Sequence, residues 1–227
     1  MIRKLIFSAL LIMTSISANA QNDWGNYGRY EKDNIAVKAA PQSERKAVFM
    51  GNSITDNWAS RRPDFFKSNG YVGRGIGGQT SYQMLLRFRE DVINLHPKVV
   101  VINAGTNDIA LNNHPYVEDR TFGNIVSMCE LAKANKIKVV LTTITPCERY
   151  VWRPEITDAT AKIQHINARL REYAKKNKLA FVDYFSAMAN EKGAMKPGLS
   201  DDGCHPTADG YAIMEPMVKE AIQKYVK

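Results

Sequence analysis

Five short apolar runs punctuate the chain, with room for a helix in the gaps between them, and this pattern most narrows what the chain can fold into. They cover residues 47–50, 71–76, 99–102, 139–144 and 179–182. The third, Val99-Val100-Val101-Ile102, is unbroken, as expected of a strand covered on both faces. The second is weaker and glycine-rich. Among the runs lie stripes with helical spacing: Ser81, Leu85, Phe88, Val92 and Leu95; Phe122, Ile125, Cys129 and Ala132; Ile163, Ile166, Leu170 and Tyr173; and Tyr211, Met214, Val218 and Ile222. Alternation of this kind predicts an α/β domain, a parallel sheet with helices on both faces. Right-handed crossovers then bring every strand's C-terminal end to one edge, where open sheets bind ligands. The 227 residues, 44% hydrophobic and 24% charged, suit a packed globular chain and argue against disorder.

The first twenty residues read as an address. Arg3 and Lys4 precede an apolar run from Leu5 to Met13, and Ala18-Asn19-Ala20 closes the segment. That layout predicts a secretory signal peptide over 1–20, cleaved before Gln21. The run is short for a membrane span, which needs about 20 residues. No cysteine follows the cleavage point, which argues against a lipid anchor. The mature chain is expected to be secreted or periplasmic, with an irregular lead-in over 21–45 and one domain over 46–227.

Charge and cysteine content exclude other classes. The net charge is +8, but the lysines are scattered, and the densest run, Lys175-Lys176-Asn177-Lys178, falls at a helix end where cations suit the dipole. No aromatic interleaving or motif points to nucleic acid. Three cysteines are too few for a disulfide scaffold, and an odd number leaves at least one unpaired within the chain. Cys129 reads as a buried thiol on a helix face. Cys147 and Cys204 both fall in loops, and a bridge between them is an open alternative. His96, His114 and His165 lack evident partners and do not have metal-ligand spacing.

The residues that follow the strands carry the chemistry. Gly51-Asn52-Ser53-Ile54-Thr55-Asp56 follows the first, Gly75-Ile76-Gly77-Gly78-Gln79-Thr80 the second, and Gly105-Thr106-Asn107-Asp108 the third. Asp202-Gly203-Cys204-His205-Pro206 precedes the last helical stripe. Acyl transfer needs a hydroxyl, a base and donors for an oxyanion. Ser53 supplies the first, His205 the second, and Asp202 can hold the imidazole tautomer. The N–H groups of Ser53 and Gly78, with the Asn107 amide, are candidate oxyanion donors. Asp201 reads as a loop cap, and Asp108 as a group that holds a loop. The Gly73–Gly78 stretch contains GxGxxG, but it follows the second strand rather than the first, which disfavours a dinucleotide site. Thr55 stands where a GxSxG elbow needs glycine.

This ordered set resembles the SGNH hydrolases, also called the GDSL esterase/lipase family, over about residues 46–225. The four blocks match at Gly51–Thr55, at the segment ending in Gly78, at Gly105–Asp108 and at Asp202–His205. The resemblance implies that Ser53 is nucleophile and oxyanion donor, that Gly78 and Asn107 complete the hole, and that His205 and Asp202 are base and partner. It also implies a flavodoxin-like three-layer α/β/α sandwich with five parallel strands. Asn52 departs from the Asp of the family name, outside the catalytic set. The expected activity is hydrolysis of short acyl esters, foremost acetyl groups on carbohydrate, with no metal or cofactor. Arg74, Trp152 and Arg153 are the candidate pocket residues. The rival readings are a lysophospholipase or short-chain lipid esterase, acyl transfer to a sugar, and a non-catalytic carbohydrate-binding protein on the same fold. Oligomeric state is not legible.

Overall fold

The computed structural model describes residues 23–226. The expected signal segment, 1–20, lies outside the described residues. The lead-in departs from expectation. Rather than being irregular, it carries a nine-residue helix, α1 (Glu31–Ala39), between two short 3-10 turns. No apolar stripe announces α1, because its buried residue is polar: Asn34 donates to Asp91 Oδ1 at 2.7 Å and accepts from Arg74 Nε at 2.9 Å.

The rest alternates as the sequence predicts: β1 (Ala47–Gly51), α2 (Ser53–Arg61), α3 (Pro63–Asn69), β2 (Tyr71–Gly75), α4 (Ser81–Asp91), β3 (Val99–Ile102), α5 (Thr106–Ile109), α6 (Glu118–Ala134), β4 (Lys138–Thr142), α7 (Ala159–Asn177), β5 (Ala180–Val182), α8 (Tyr184–Met188) and α9 (Ala208–Gln223). The five strands pair in parallel in the order β2-β1-β3-β4-β5. The sheet has helices on both sides, as the resemblance to the SGNH hydrolases implies.

Alternate residues of each strand face opposite layers. Val48, Met50, Val100 and Ile102 pack with Met84 and Phe88 of α4, Ile125 and Met128 of α6, and Ile163 and Leu170 of α7. Ala47, Phe49, Val99 and Val101 pack with Ile54 and Trp58 of α2, Phe66 of α3, Tyr184 of α8, and Tyr211 and Val218 of α9. In this second layer the Trp58 ring stacks on Tyr211 at 5.4 Å and on Phe65 at 5.5 Å. Tyr211 also donates its hydroxyl to the Ile54 carbonyl at 2.8 Å. These contacts fasten the start of α2 to α9, two elements at opposite ends of the sequence. Among the described residues, no helix is long and apolar enough to cross a membrane.

Candidate active site

Three loops leave the C-terminal edge of the sheet at neighbouring strands β2, β1 and β3. Ser53 is the first residue of α2, with Asn52 before it as N-cap accepting from the Ile54 N–H at 2.9 Å. The N–H of a first-turn residue has no acceptor within its own helix, so that of Ser53 is free for a ligand. The loop after β2 passes close to this helix start. A Cβ on Gly75 would stand 2.1 Å from the Asp56 nitrogen, so only glycine lets β2 end there. Gly78 has φ +76°, a left-handed conformation that a side chain would strain.

The Asp202–His205 loop is brought over Ser53 ahead of α9. Ser53 Oγ lies 2.8 Å from His205 Nε2, and His205 Nδ1 lies 2.6 Å from Asp202 Oδ2. The other Asp202 oxygen accepts from the His205 N–H at 2.8 Å, the Cys204 N–H at 2.9 Å and the Ser200 hydroxyl at 3.1 Å. Burial works to raise the Asp202 carboxyl, but the bonds from the His205 ring and the two backbone N–H groups prevail and hold it down to about 2. The carboxylate is therefore ionised wherever the imidazole can act as a base. Asp201, one residue earlier, is exposed.

Asn107, buried at the start of α5, donates from Nδ2 to the Gln79 carbonyl at 3.0 Å. Its Oδ1 accepts from Asn112 Nδ2 at 3.2 Å. Both ends of the amide are thus assigned, and the second hydrogen of Nδ2 remains for another acceptor. Asp108 behaves as a loop holder. It is fully buried and accepts from the Ser81 N–H at 2.9 Å, the Ser81 hydroxyl at 2.5 Å and the Thr121 hydroxyl at 3.1 Å, which fixes the start of α4. Burial pushes its carboxyl up despite these bonds.

The three expected pocket residues separate. Trp152 is exposed, with its ring 5.7 Å from that of His205. Arg153 lies at the mouth of a cleft beside Gly78 and donates to the Leu111 carbonyl at 3.3 Å. Arg74 does not belong to the pocket. It is buried beneath α1, its guanidinium 4.5 Å from the Tyr30 ring centroid and bonded to Asn34. Its position in β2 turns it toward the lead-in helix, not the cleft. His165 is exposed but does have a partner, with Nδ1 2.8 Å from Glu118 Oε2. His114 does have surroundings: it packs on Tyr82 at 4.1 Å, with Nε2 3.8 Å from Asp108. The cysteines are all free and buried. Cys147 and Cys204 are not bridged; Cys147 donates to the Arg149 carbonyl at 3.4 Å, and its nearness to Cys204, with burial, pushes the Cys204 thiol well above its ordinary value.

Sequence reasoning missed Arg87 and Gln79. Arg87 is fully buried and donates to Gln79 Oε1 at 2.5 Å, to Asp91 Oδ2 at 2.8 Å, and to the carbonyls of Gly51 and Arg74 at 3.0 Å each. It thereby ties the end of β1, just before Ser53, to the loop that carries Gly78. The signal was available: Arg87 and Asp91 are an i, i+4 pair on the face that also carries Met84 and Phe88.

Comparison with known proteins gives one consistent result. The model of the GDSL-like Lipase/Acylhydrolase family matches residues 49–213. A crystal structure of a GDSL-like lipase from Bacteroides thetaiotaomicron is 58% identical, covers 89% of this chain and 99% of its own, and has a TM-score of 0.86. The uncharacterized lipoprotein YqeF of Bacillus subtilis is 29% identical over 171 residues, 63% of this chain and 69% of that protein. An acetylxylan esterase of Geobacillus stearothermophilus, 22% identical with a TM-score of 0.64 over 79% of this chain and 94% of its own, shares the fold.

Proposed function

The chain belongs to the GDSL-like lipase/acylhydrolase family and is a carboxylic ester hydrolase; from that premise we propose that it is an exported serine esterase that removes short acyl groups, foremost acetyl, from carbohydrate or other small esters. The observation that carries this reading is the unbroken chain of hydrogen bonds from the Ser53 hydroxyl through His205 to Asp202.

Ser53 Oγ attacks the ester carbonyl as its proton passes to His205 Nε2. Asp202 remains ionised and steadies the imidazolium. In this scheme the tetrahedral oxygen is held by the N–H groups of Ser53 and Gly78 and the second Nδ2 hydrogen of Asn107. Collapse breaks the bond to the alcohol, which leaves with the proton from His205. A water then gives its proton to the same nitrogen and attacks the acyl-serine, and the acid departs as Ser53 recovers its hydrogen.

Preference for short acyl groups is supported by the surroundings. The cleft beside Gly78 is lined mainly by amides, Asp23 and Arg153, with Trp24 and Ile76 as its apolar members. A hydrocarbon chain laid there would strip water from the polar groups without pairing them, which is unfavourable. Export is supported by the signal-like layout of 1–20.

The test is hydrolysis of 4-nitrophenyl acetate by the mature chain. Ser53→Ala is expected to abolish turnover, and a serine-directed phosphonate should label the wild type on Ser53 alone. Surviving turnover in the variant would remove Ser53 from the scheme.

A further inference from the structure

The segment just after the expected cleavage point does not trail into solvent. Gln83 Nε2 donates to the Trp24 carbonyl at 2.9 Å, and Gln79 Nε2 to the Gly25 carbonyl at 3.0 Å. Both glutamines are buried, and Gln79 belongs to the loop that carries Gly78. Asp23 accepts from the Tyr27 and Gly28 N–H groups at 2.8 and 3.2 Å, and Tyr27 donates its hydroxyl to the Leu86 carbonyl at 2.9 Å. Five hydrogen bonds therefore define the path of residues 23–28 along the edge of the candidate site.

That path forms one wall of an open cleft of about 600 Å³ that ends on Gly77 and Gly78. The volume is within the range of small-molecule sites. Asn26, Gln83, Asn112 and Asn113 line it, with Arg153 also on the lining. On the same wall sits Trp24, a large aromatic ring left 48% exposed although its backbone is tied down. The lining amides offer donors and acceptors to hydroxyl groups, and a flat ring offers a face for the C–H side of a pyranose. An aliphatic chain could pack on the ring but would leave the amides unpaired.

We propose that residues 23–26 complete a carbohydrate subsite beside the oxyanion donors, with Trp24 as its stacking platform. The occupant is the glycan portion of an O-acetylated oligosaccharide. This proposal rests on the esterase reading above and adds the subsite that recognises the glycan portion of its substrate. The lead-in is then part of the site and sets specificity, while the transfer steps remain with Ser53, His205 and Asp202.

The experiment compares the mature wild type with Trp24→Ala and Trp24→Phe on 4-nitrophenyl acetate and on a panel of acetylated xylo-, manno- and chito-oligosaccharides. Trp24→Ala is expected to raise KM for the preferred oligosaccharide about tenfold or more and to change kcat/KM for 4-nitrophenyl acetate less than twofold; Trp24→Phe should recover most of the loss. Calorimetry on Ser53→Ala, with and without Trp24→Ala, should show the same difference in affinity for that oligosaccharide. Equal losses on both substrates would mean that Trp24 acts only through the fold, and an unchanged glycan KM would mean that it is not in the subsite; either overturns the proposal. A wild type that cleaves 4-nitrophenyl acetate but no acetylated glycan overturns the subsite and leaves the esterase reading standing. A wild type that cleaves neither overturns both.

Discussion

Asp202 holds three backbone and side-chain donors on one oxygen and the imidazole on the other, and its acidity follows from that count. The carboxyl is lowered to about 2 from an ordinary value of 3.8. A folded value below the unfolded one means that these bonds stabilise the loop fully above about pH 4, and that their contribution is lost as pH falls through about 2. A carboxyl-carbon NMR titration of the mature protein should therefore find the Asp202 midpoint near 2. A midpoint at 4 or above would show that the loop bonds do not persist in solution. Asn107 repeats the principle: one amide hydrogen is held by Gln79 so that the other has a fixed direction.

At the scale of elements, β1, β2 and α4 are held in mutual register by a buried ion pair. Arg87 reaches the ends of two strands and the loop after one of them, while Asp91 and Asn34 extend the network to α1. Burial lowers the Arg87 guanidinium and Asp91 opposes that shift. Removing one partner of such a pair strands the other in a low-dielectric site. Arg87→Met is expected to cost roughly 3–5 kcal/mol of unfolding free energy by urea denaturation. Adding Asp91→Leu should return more than half of it, because the stranded charge goes too. A loss below about 1 kcal/mol in the single variant would deny Arg87 this bracing role, since that is within the range of an ordinary hydrogen bond.

For the molecule as a whole, the decisive event is closure of α9 back onto α2. The Trp58–Tyr211 stack and the Tyr211 hydroxyl bond place the Asp202–His205 loop above a serine 152 residues earlier in the chain. Cys147 and Cys204 meet in the same closure, from the loop after β4 and the loop before α9, and remain thiols. The denatured mature chain should thus release three thiols to Ellman's reagent without reductant, while the native protein reacts slowly because all three are buried. A count of one would mean that export closes the Cys147–Cys204 bridge.

How much of this was legible varied with the kind of interaction. The strands and their order of appearance were readable, because a doubly covered parallel strand must be written as a continuous apolar run. The blocks around Ser53, Gly78, Asn107 and His205 were readable, because glycines, helix caps and a DxxH pair are local marks. What stayed hidden were the polar contacts between distant segments outside that set: helix α1, which buries Asn34 rather than an apolar stripe; the inward turn of Arg74; the reach of Arg87; and the docking of Trp24 by Gln83 and of Gly25 by Gln79. Periodicity reports which face of an element avoids water. It carries no record of which partner, tens of residues away, satisfies a buried hydrogen-bonding group, and only the folded chain decides that.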